Sequence, residues 1–400
     1  MRAEAAIVGG GPAGLIAARE LADKGFEVKV FEEHREIGVP NHCAGILSVK
    51  GLDRIGVSPK TEYIRHEIRG GTIFSPEGDA IKIDSGRTRA YIIDREAFDR
   101  HLAGKAHDAG AEIERGHRIR EFIVKRGIVS GIQGDTNIAA RIVIDAEGAS
   151  GVLARKMGLP RPVEGVLAGV NIDIPDAELE PGIAEVWLDQ ELAEGLFAWA
   201  VPTEDDGARC GLATGKGDPL ELLRRFIVRR FDLSECGKPV VWPVLTSGPV
   251  VKTFSSGLLL VGDVAGQTKP TTGGGVILGG MCAVMAAETA SEALESEDSS
   301  AGFLARYEDA WRGALGKEFS TMLNVRRFLN SVPDERIERL FSSLKAANLK
   351  PVLESLIKEG DMDLQSGVLR KTLTHPGMFG ILVKSLGNLA FKEARSLLRI

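Results

Sequence analysis

The sequence predicts an α/β chain (α+β overall). Its parts are a parallel-sheet domain, an inserted and mostly antiparallel β-sheet domain, and a C-terminal helical region. Three observations carry this. Ala5-Ala6-Ile7-Val8 is a short apolar run ending in glycines, as a buried parallel strand does. Leu258-Leu259-Leu260-Val261 repeats that style late in the chain. Between them, from about residue 160 to 251, the pattern changes to strands and turns carrying Trp187, Trp199 and Trp242. The first domain is therefore discontinuous, 1–159 and 252–300, with a β insertion near 60–95. It encloses a second domain at 160–251, and helices follow over 301–400.

The elements read in order as follows. After the first strand, Leu15, Ala18, Leu21 and Ala22 share a helical face that stops at Gly25. Val28, Val30 and Phe31 form the next strand, which Glu32 ends. Gly38 to Gly45 is a loop rich in Gly, Pro, Asn and His. Ser75 to Ala90 combines turn residues with alternating Ala80, Ile81 and Ile83, a hairpin pattern. Arg95 to Ala109 reads as a helix with Phe98, Leu102 and Ala106 on one face. Ile138 to Ile144 is another strand, ending at Asp145-Ala146-Glu147-Gly148. An alanine-rich helix runs from about Gly275 to Leu294, and amphipathic helices follow Ser300.

Composition narrows the class. Apolar residues at 44% and charged residues at 26% are near globular averages, which excludes a disordered or collagen-like chain. The net charge of −6 argues against nucleic acid as a partner, since such binders carry a basic face. Cys43, Cys210, Cys236 and Cys282 show no C-x-x-C spacing, so neither a zinc site nor a disulfide framework is expected and the metal set is none. No uncharged stretch reads as a spanning helix, and the expectation is a cytoplasmic protein, at most peripheral to the membrane. Glycine is in excess, at 48 of 400 residues.

Part of that excess forms a nucleotide fingerprint. Gly9-x-Gly11-x-x-Gly14 follows a strand and opens a helix, and Glu32 ends the next strand. Such glycines allow a tight turn, close approach of a pyrophosphate, and close helix–strand packing. The helix start offers free N–H groups and partial positive charge to phosphates, and the acid accepts from ribose hydroxyls. A second signal selects the dinucleotide. Gly262-Asp263 follows the late strand, and Pro270-x-x-Gly273-Gly274-Gly275 opens the next helix. An aspartate at a strand end can hold a ribityl hydroxyl. A helix start can face the flavin edge where negative charge collects on reduction.

These residues, with Arg95 in Tyr91-Ile92-Ile93-Asp94-Arg95 and Asp145-x-x-Gly148, resemble the FAD-dependent oxidoreductases built like para-hydroxybenzoate hydroxylase. The loop Ile37-Gly38-Val39-Pro40-Asn41-His42-Cys43-Ala44-Gly45 resembles that of the geranylgeranyl reductase family, of the archaeal ether-lipid type. Phe197-x-Trp199-x-Val201-Pro202, followed by Gly211, is similar to that family's substrate motif. Phe197 replaces the family's Tyr, Val201 its Phe, Ala213 its second Gly, and Ala44 the commoner Gly.

The resemblance implies FAD, held by Gly9, Gly11, Pro12, Ala13, Gly14, Glu32 and Glu33 at the ADP half and by Arg95 near the phosphates or adenosine. Asp145, Gly148, Gly262, Asp263, Pro270, Gly273, Gly274 and Gly275 would serve the rest of the cofactor, with Cys43 and Ala44 close to the ring. Phe197, Trp199, Pro202 and Gly211 would form the prenyl-chain site. The implied reaction is saturation of isolated double bonds in geranylgeranyl chains of a lipid. An aromatic monooxygenase and an electron-transfer dehydrogenase of the same fold are the alternatives.

Reducing an unactivated double bond needs a hydride and a proton on well-placed carbons. Reduced FAD would bring the first. The Cys43 thiol, mostly protonated at neutral pH if unperturbed, or the neighbouring His42 would bring the second. The plain alternative is a small apolar Cys43 packing a tight loop. Lys269 precedes the flavin-side helix start, where a cation favours the anionic reduced flavin. The electron donor is open between NADPH, ferredoxin and another reduced carrier. The basic, amphipathic tail from Met378 to Ile400 could lie on an anionic bilayer or pack on its own domain.

Overall fold

Strand Arg2–Val8 sits inside the larger sheet, paired in parallel with Val28–Glu32 on one side and Asn137–Asp145 on the other. Glu112–Arg115 extends the sheet in parallel beyond Val28–Glu32, and Leu258–Leu260 extends it beyond Asn137–Asp145. The computed structural model describes residues 2–41, 43–203, 207–233, 237–347 and 349–386; His42, Cys236 and the tail from 387 lie outside the described residues. The unbroken apolar run Ala5–Val8 has its cause here, because both faces of the sheet are covered. Helices Pro12–Asp23, Arg95–Asp108, Val276–Glu295 and Ala301–Asn330 contribute Leu15, Phe98, Ala286 and Trp311 to one core. Leu153, Val264 and Ile132 pack with Ala6, Val8 and Val143 in another.

Helix Val276–Glu295 is long and apolar enough to cross a membrane by length and composition, a property missed in the sequence. Of its apolar window, 67% is buried inside the protein, where its alanines meet Leu15 and Trp311, and this is the setting of a core helix. Asp94 starts helix Arg95–Asp108 by accepting from the Ala97 amide at 3.0 Å, an N-cap that ends the preceding strand cleanly.

A second sheet has seven strands among the described residues, antiparallel except where Ile183–Trp187 runs parallel to Gly70–Phe74. Of the 60–95 insertion, the hairpin Gly70–Phe74/Ala80–Asp84 thus joins this sheet and not that of the first domain. The stacking of Phe74 on Trp187, at 4.1 Å between centroids, helps hold that junction. Ile64–Ile68 and Ala90–Ile93 pair instead in a small third sheet with Ile46–Ser48.

Alternation along the second sheet separates two faces. Val170, Ile172, Ala198, Ala200, Cys210 and Leu212 pack on helix Pro219–Phe231. Leu167, Trp199, Val201 and Ala213 face the other way, toward Ala44, Ile68, Ile92 and Val244. The functional site lies where this second face meets the open ends of the first sheet's strands.

Candidate active site

The first strand ends at a turn that only glycine fits. Gly9 has φ +103°, and a Cβ on it would stand 2.2 Å from the Ala146 carbonyl oxygen. A Cβ on Gly14 would stand 2.1 Å from the Gly9 carbonyl oxygen, so the helix start is drawn tightly onto the strand end. A Cβ on Gly11 meets nothing within 4 Å. Gly11 is the N-cap of helix Pro12–Asp23 and provides no side-chain cap, so the first-turn amides are left for a ligand.

These residues border a cavity of about 830 Å³, within the usual range for a bound cofactor or small ligand. Gly9, Gly11, Pro12, Ala13, Glu32, Glu33, Cys43, Arg95, Gly148, Gly262, Asp263, Gly273, Gly274 and Gly275 all line it. Gly14 and Pro270 support this wall without lining it. Asp145 does not line it either, and is fully buried. Burial and then the neighbouring Glu147 push the Asp145 carboxyl well above the usual range. Its Oδ1 accepts from the Glu147 amide at 3.1 Å, while Oδ2 has no partner among the described residues.

At the far end, Glu32 ties the turn down. Its Oε2 accepts from the Gly10 amide at 2.7 Å, and its Oε1 from the His34 amide at 2.8 Å. His117 also lines this end, edge-on to Phe31, and its buried Nε2 lacks a partner among the described residues. A signal was available in its position just after strand Glu112–Arg115, which pairs with the strand bearing Glu32. An unpaired buried nitrogen beside the ribose-type acid and an uncapped helix start suit a polar dinucleotide.

At the other end, Asp263 follows the strand Leu258–Leu260 and lies against the helix start at Gly275, where a Cβ would stand 2.7 Å from its Oδ1. Lys269 lines the cavity beside Gly273–Gly275 and donates to Asp363 at 2.8 Å.

The cysteine loop is held from both sheets. Cys43 lines the cavity and is half-buried. Its Sγ accepts from the Gly45 amide at 3.4 Å. Its carbonyl accepts from Asn171 Nδ2 and Arg209 Nη1, each at 3.3 Å. Asp173 fixes that arginine with bonds of 2.6 and 2.8 Å. Arg95 also bonds the Cys43 side chain and pairs with Asp99 through two contacts of 3.1 Å. Burial opposes the charge of Arg95, but Asp99 and Cys43 outweigh it and hold the guanidinium protonated. Arg95 was expected at the phosphates or adenosine; it stands beside the thiol.

None of the expected prenyl-site residues lines this cavity. Trp199 is buried beneath it, with Phe197 at 6.2 Å and Trp242, which does line the cavity, at 6.4 Å between ring centroids. Ala44 joins the same apolar cluster. Gly211 pairs directly opposite Trp199. Pro202, last in strand Ala198–Pro202, pairs with Ala208 and falls on the opposite face from Trp199, so the two do not share a wall. They lie three positions apart, and a period of two puts them on opposite sides.

Cys210 and Cys282 are buried, and burial raises the Cys282 thiol far above its ordinary range, as packing roles require. His66 Nε2 donates to the Thr203 carbonyl at 2.7 Å, and His101 pairs with Glu62.

A model for the FAD binding domain matches residues 2–214. The chain is 33% identical over 363 residues to digeranylgeranylglycerophospholipid reductase 2 of Methanopyrus kandleri, covering 86% of this chain and 91% of that one. The protein of the same name from Methanothermobacter thermautotrophicus is also 33% identical, covering 88% and 94%. Among solved structures, a geranylgeranyl bacteriochlorophyll reductase-like protein of Thermoplasma acidophilum superposes with a TM-score of 0.85 at 23% identity, over 99% of both chains. A flavin-dependent brominase shares the fold at a TM-score of 0.71 and 15% identity, over 98% of this chain and all of the other.

Proposed function

This chain belongs to the FAD-dependent digeranylgeranylglycerophospholipid reductase family, and from that premise we propose that it saturates the isolated double bonds of geranylgeranyl chains on an ether lipid. One observation carries the chemistry: Cys43 lies on the wall of the same cavity as the glycine turn and Gly273–Gly275, with an aromatic cluster packed behind it.

The residues present fit FAD. The glycine turn at Gly9 and the uncapped helix start at Gly11 suit its pyrophosphate, Glu32 and His117 its adenosine half, and Asp263 its ribityl chain. When bound and reduced, FAD supplies the hydride. The chain's own residues supply the proton and the geometry. A double bond gains two hydrogens, one as hydride and one as a proton held on Cys43 Sγ. As the thiol gives up that proton, the Arg95 guanidinium beside it offsets the charge left on sulfur. Asp99 keeps the guanidinium in place, and solvent restores the proton afterwards. Asn171 and Arg209 grip the loop carbonyl, so the sulfur is carried by a fixed backbone. Trp242 and Val244 line the cavity with the buried Trp199 behind them, an apolar wall suited to a prenyl chain and poor for water.

NADPH, ferredoxin or another reduced carrier delivers the electrons in this scheme, and the lipid is met at the inner face of the cell membrane. The lipid nature of the substrate supports the second point. The basic tail, for which a bilayer and its own domain are the two expected partners, begins in helix Pro376–Leu386, whose Met378 is buried; its remainder lies outside the described residues. Product mass after anaerobic reaction of the reduced protein with a geranylgeranyl lipid tests the function. A hydroxylase of this fold would consume oxygen and leave oxygen in the product.

A further inference from the structure

Asp363 is a fully buried carboxylate where three distant parts of the chain meet. Lys269 Nζ donates to its Oδ1 at 2.8 Å across 94 positions. Ser48 Oγ bonds its Oδ2 across 315 positions. Ser48 Oγ in turn accepts from the Gly51 amide at 2.7 Å and so caps helix Val49–Arg54. Lys269 lines the cavity and Asp363 does not, so the carboxylate stands behind the lysine.

The same C-terminal region holds the rest of this loop. Arg326 Nε donates to the Pro270 carbonyl at 3.2 Å, and Thr271 Oγ1 to Gln365 Oε1 at 2.7 Å. The lysine stem crosses Gly274 closely, for a Cβ there would stand 2.8 Å from Lys269 Cε. A lysine side chain is long and flexible, so a fixed ammonium needs an anchor at its end.

We propose that Asp363 is a positioning residue for Lys269, and that through this pair the C-terminal region raises the reduction potential of the flavin bound in the cavity. A cation held at the flavin edge stabilises the negative charge that collects there on reduction. Two roles for Asp363 give opposite signs. A carboxylate that only cancelled the lysine's charge would lower the potential, and its removal would raise it. A carboxylate that anchors the lysine raises the potential, and its removal lowers it. The inference rests on flavin binding at this site and not on the identity of the lipid.

Anaerobic spectroelectrochemistry of the full-length, FAD-loaded protein without lipid tests it, so a failure of prenyl reduction would leave the result intact. Lys269→Met and Asp363→Asn are each expected to lower the midpoint potential. A tenfold loss in stability of the reduced form relative to the oxidised form reads as about 30 mV for a two-electron couple. In the Lys269→Met background, Asp363→Asn is expected to add nothing. A higher or unchanged potential in Asp363→Asn, or a further fall in the double variant, overturns the proposal. Should Asp363→Asn fail to retain flavin, Ser48→Ala decides, because it keeps both charges and removes one bond that fixes the carboxylate. A lowered potential that vanishes in the Lys269→Met background supports the anchor, and an unchanged one overturns it.

Discussion

Trp199 lies against the backbone of Gly211, its direct partner on the neighbouring strand: a Cβ on Gly211 would stand 2.4 Å from the indole Cζ2. The absence of a side chain at 211 therefore sets the depth of the indole in the apolar cluster. Gly211→Ala is expected to push the ring out of place at a cost of about 1–3 kcal/mol. Trp199→Ala leaves a hole worth about 3–5 kcal/mol. Both variants should keep FAD and raise KM for the lipid, which urea unfolding and steady-state kinetics would read. An unchanged KM for both would remove this cluster from the substrate site.

Gly14→Ala is expected to abolish FAD binding, because the new methyl group would meet the Gly9 carbonyl oxygen at 2.1 Å. Backbone on both sides of that contact leaves no flexible side chain to give way. The purified variant should be colourless, and added FAD should not restore the flavin spectrum in equilibrium dialysis.

Cys43→Ala should bind FAD normally yet lose prenyl saturation by about 10²–10⁴-fold, the usual effect of deleting a general acid. Full turnover with FAD bound would return Cys43 to the role of loop filler. Arg95→Lys should fall between the two, since a lysine keeps the charge beside sulfur but not the two-bond fork to Asp99.

Asp361 and Arg54 form a two-bond pair at 3.0 and 2.7 Å that closes the C-terminal segment onto helix Val49–Arg54. Burial works against the Asp361 charge, but the Arg54 bond and the Leu364 and Asp363 amides outweigh it and hold the carboxyl at about 2, below its ordinary 3.8. A lowered carboxyl stabilises the fold fully above its unfolded pKa and loses that contribution as pH falls toward the folded one. Discounted for solvent screening of this half-buried pair, the contribution is on the order of 1 kcal/mol. Asp361→Asn should lose about that much at neutral pH, and should show a smaller decline in urea midpoint between pH 4 and pH 2 than the parent protein.

How much of this was legible in the sequence depended on distance along the chain. The glycine turn, Glu32, Asp263 and the Gly273–Gly275 helix start all announced themselves, because each is a local pattern with a local physical cause. The i,i+4 spacing of Arg95 and Asp99 was also on the page, though the pull of that pair toward Cys43 was not. Ser48, Lys269 and Asp363 meet only after the helical region folds back, and nothing local marks an isolated aspartate as a buried anchor. The hairpin Gly70–Phe74/Ala80–Asp84 was recognisable as a hairpin, but its choice of sheet rested on strand Ile183–Trp187, a hundred residues onward. Pro202 was misplaced for a simpler reason. A motif was carried over as a unit, whereas strand alternation assigns its members to different faces.

The most direct measurement is a single anaerobic turnover. The purified flavoprotein is photoreduced, a geranylgeranyl ether lipid is added without oxygen, and the flavin spectrum is followed while the lipid is analysed by mass. Reductase chemistry at the Cys43 cavity requires the flavin to reoxidise and the lipid to gain two hydrogens per double bond, with Cys43→Ala failing on both counts. A flavin that stays reduced until oxygen is admitted, with a product that has gained oxygen, would contradict it.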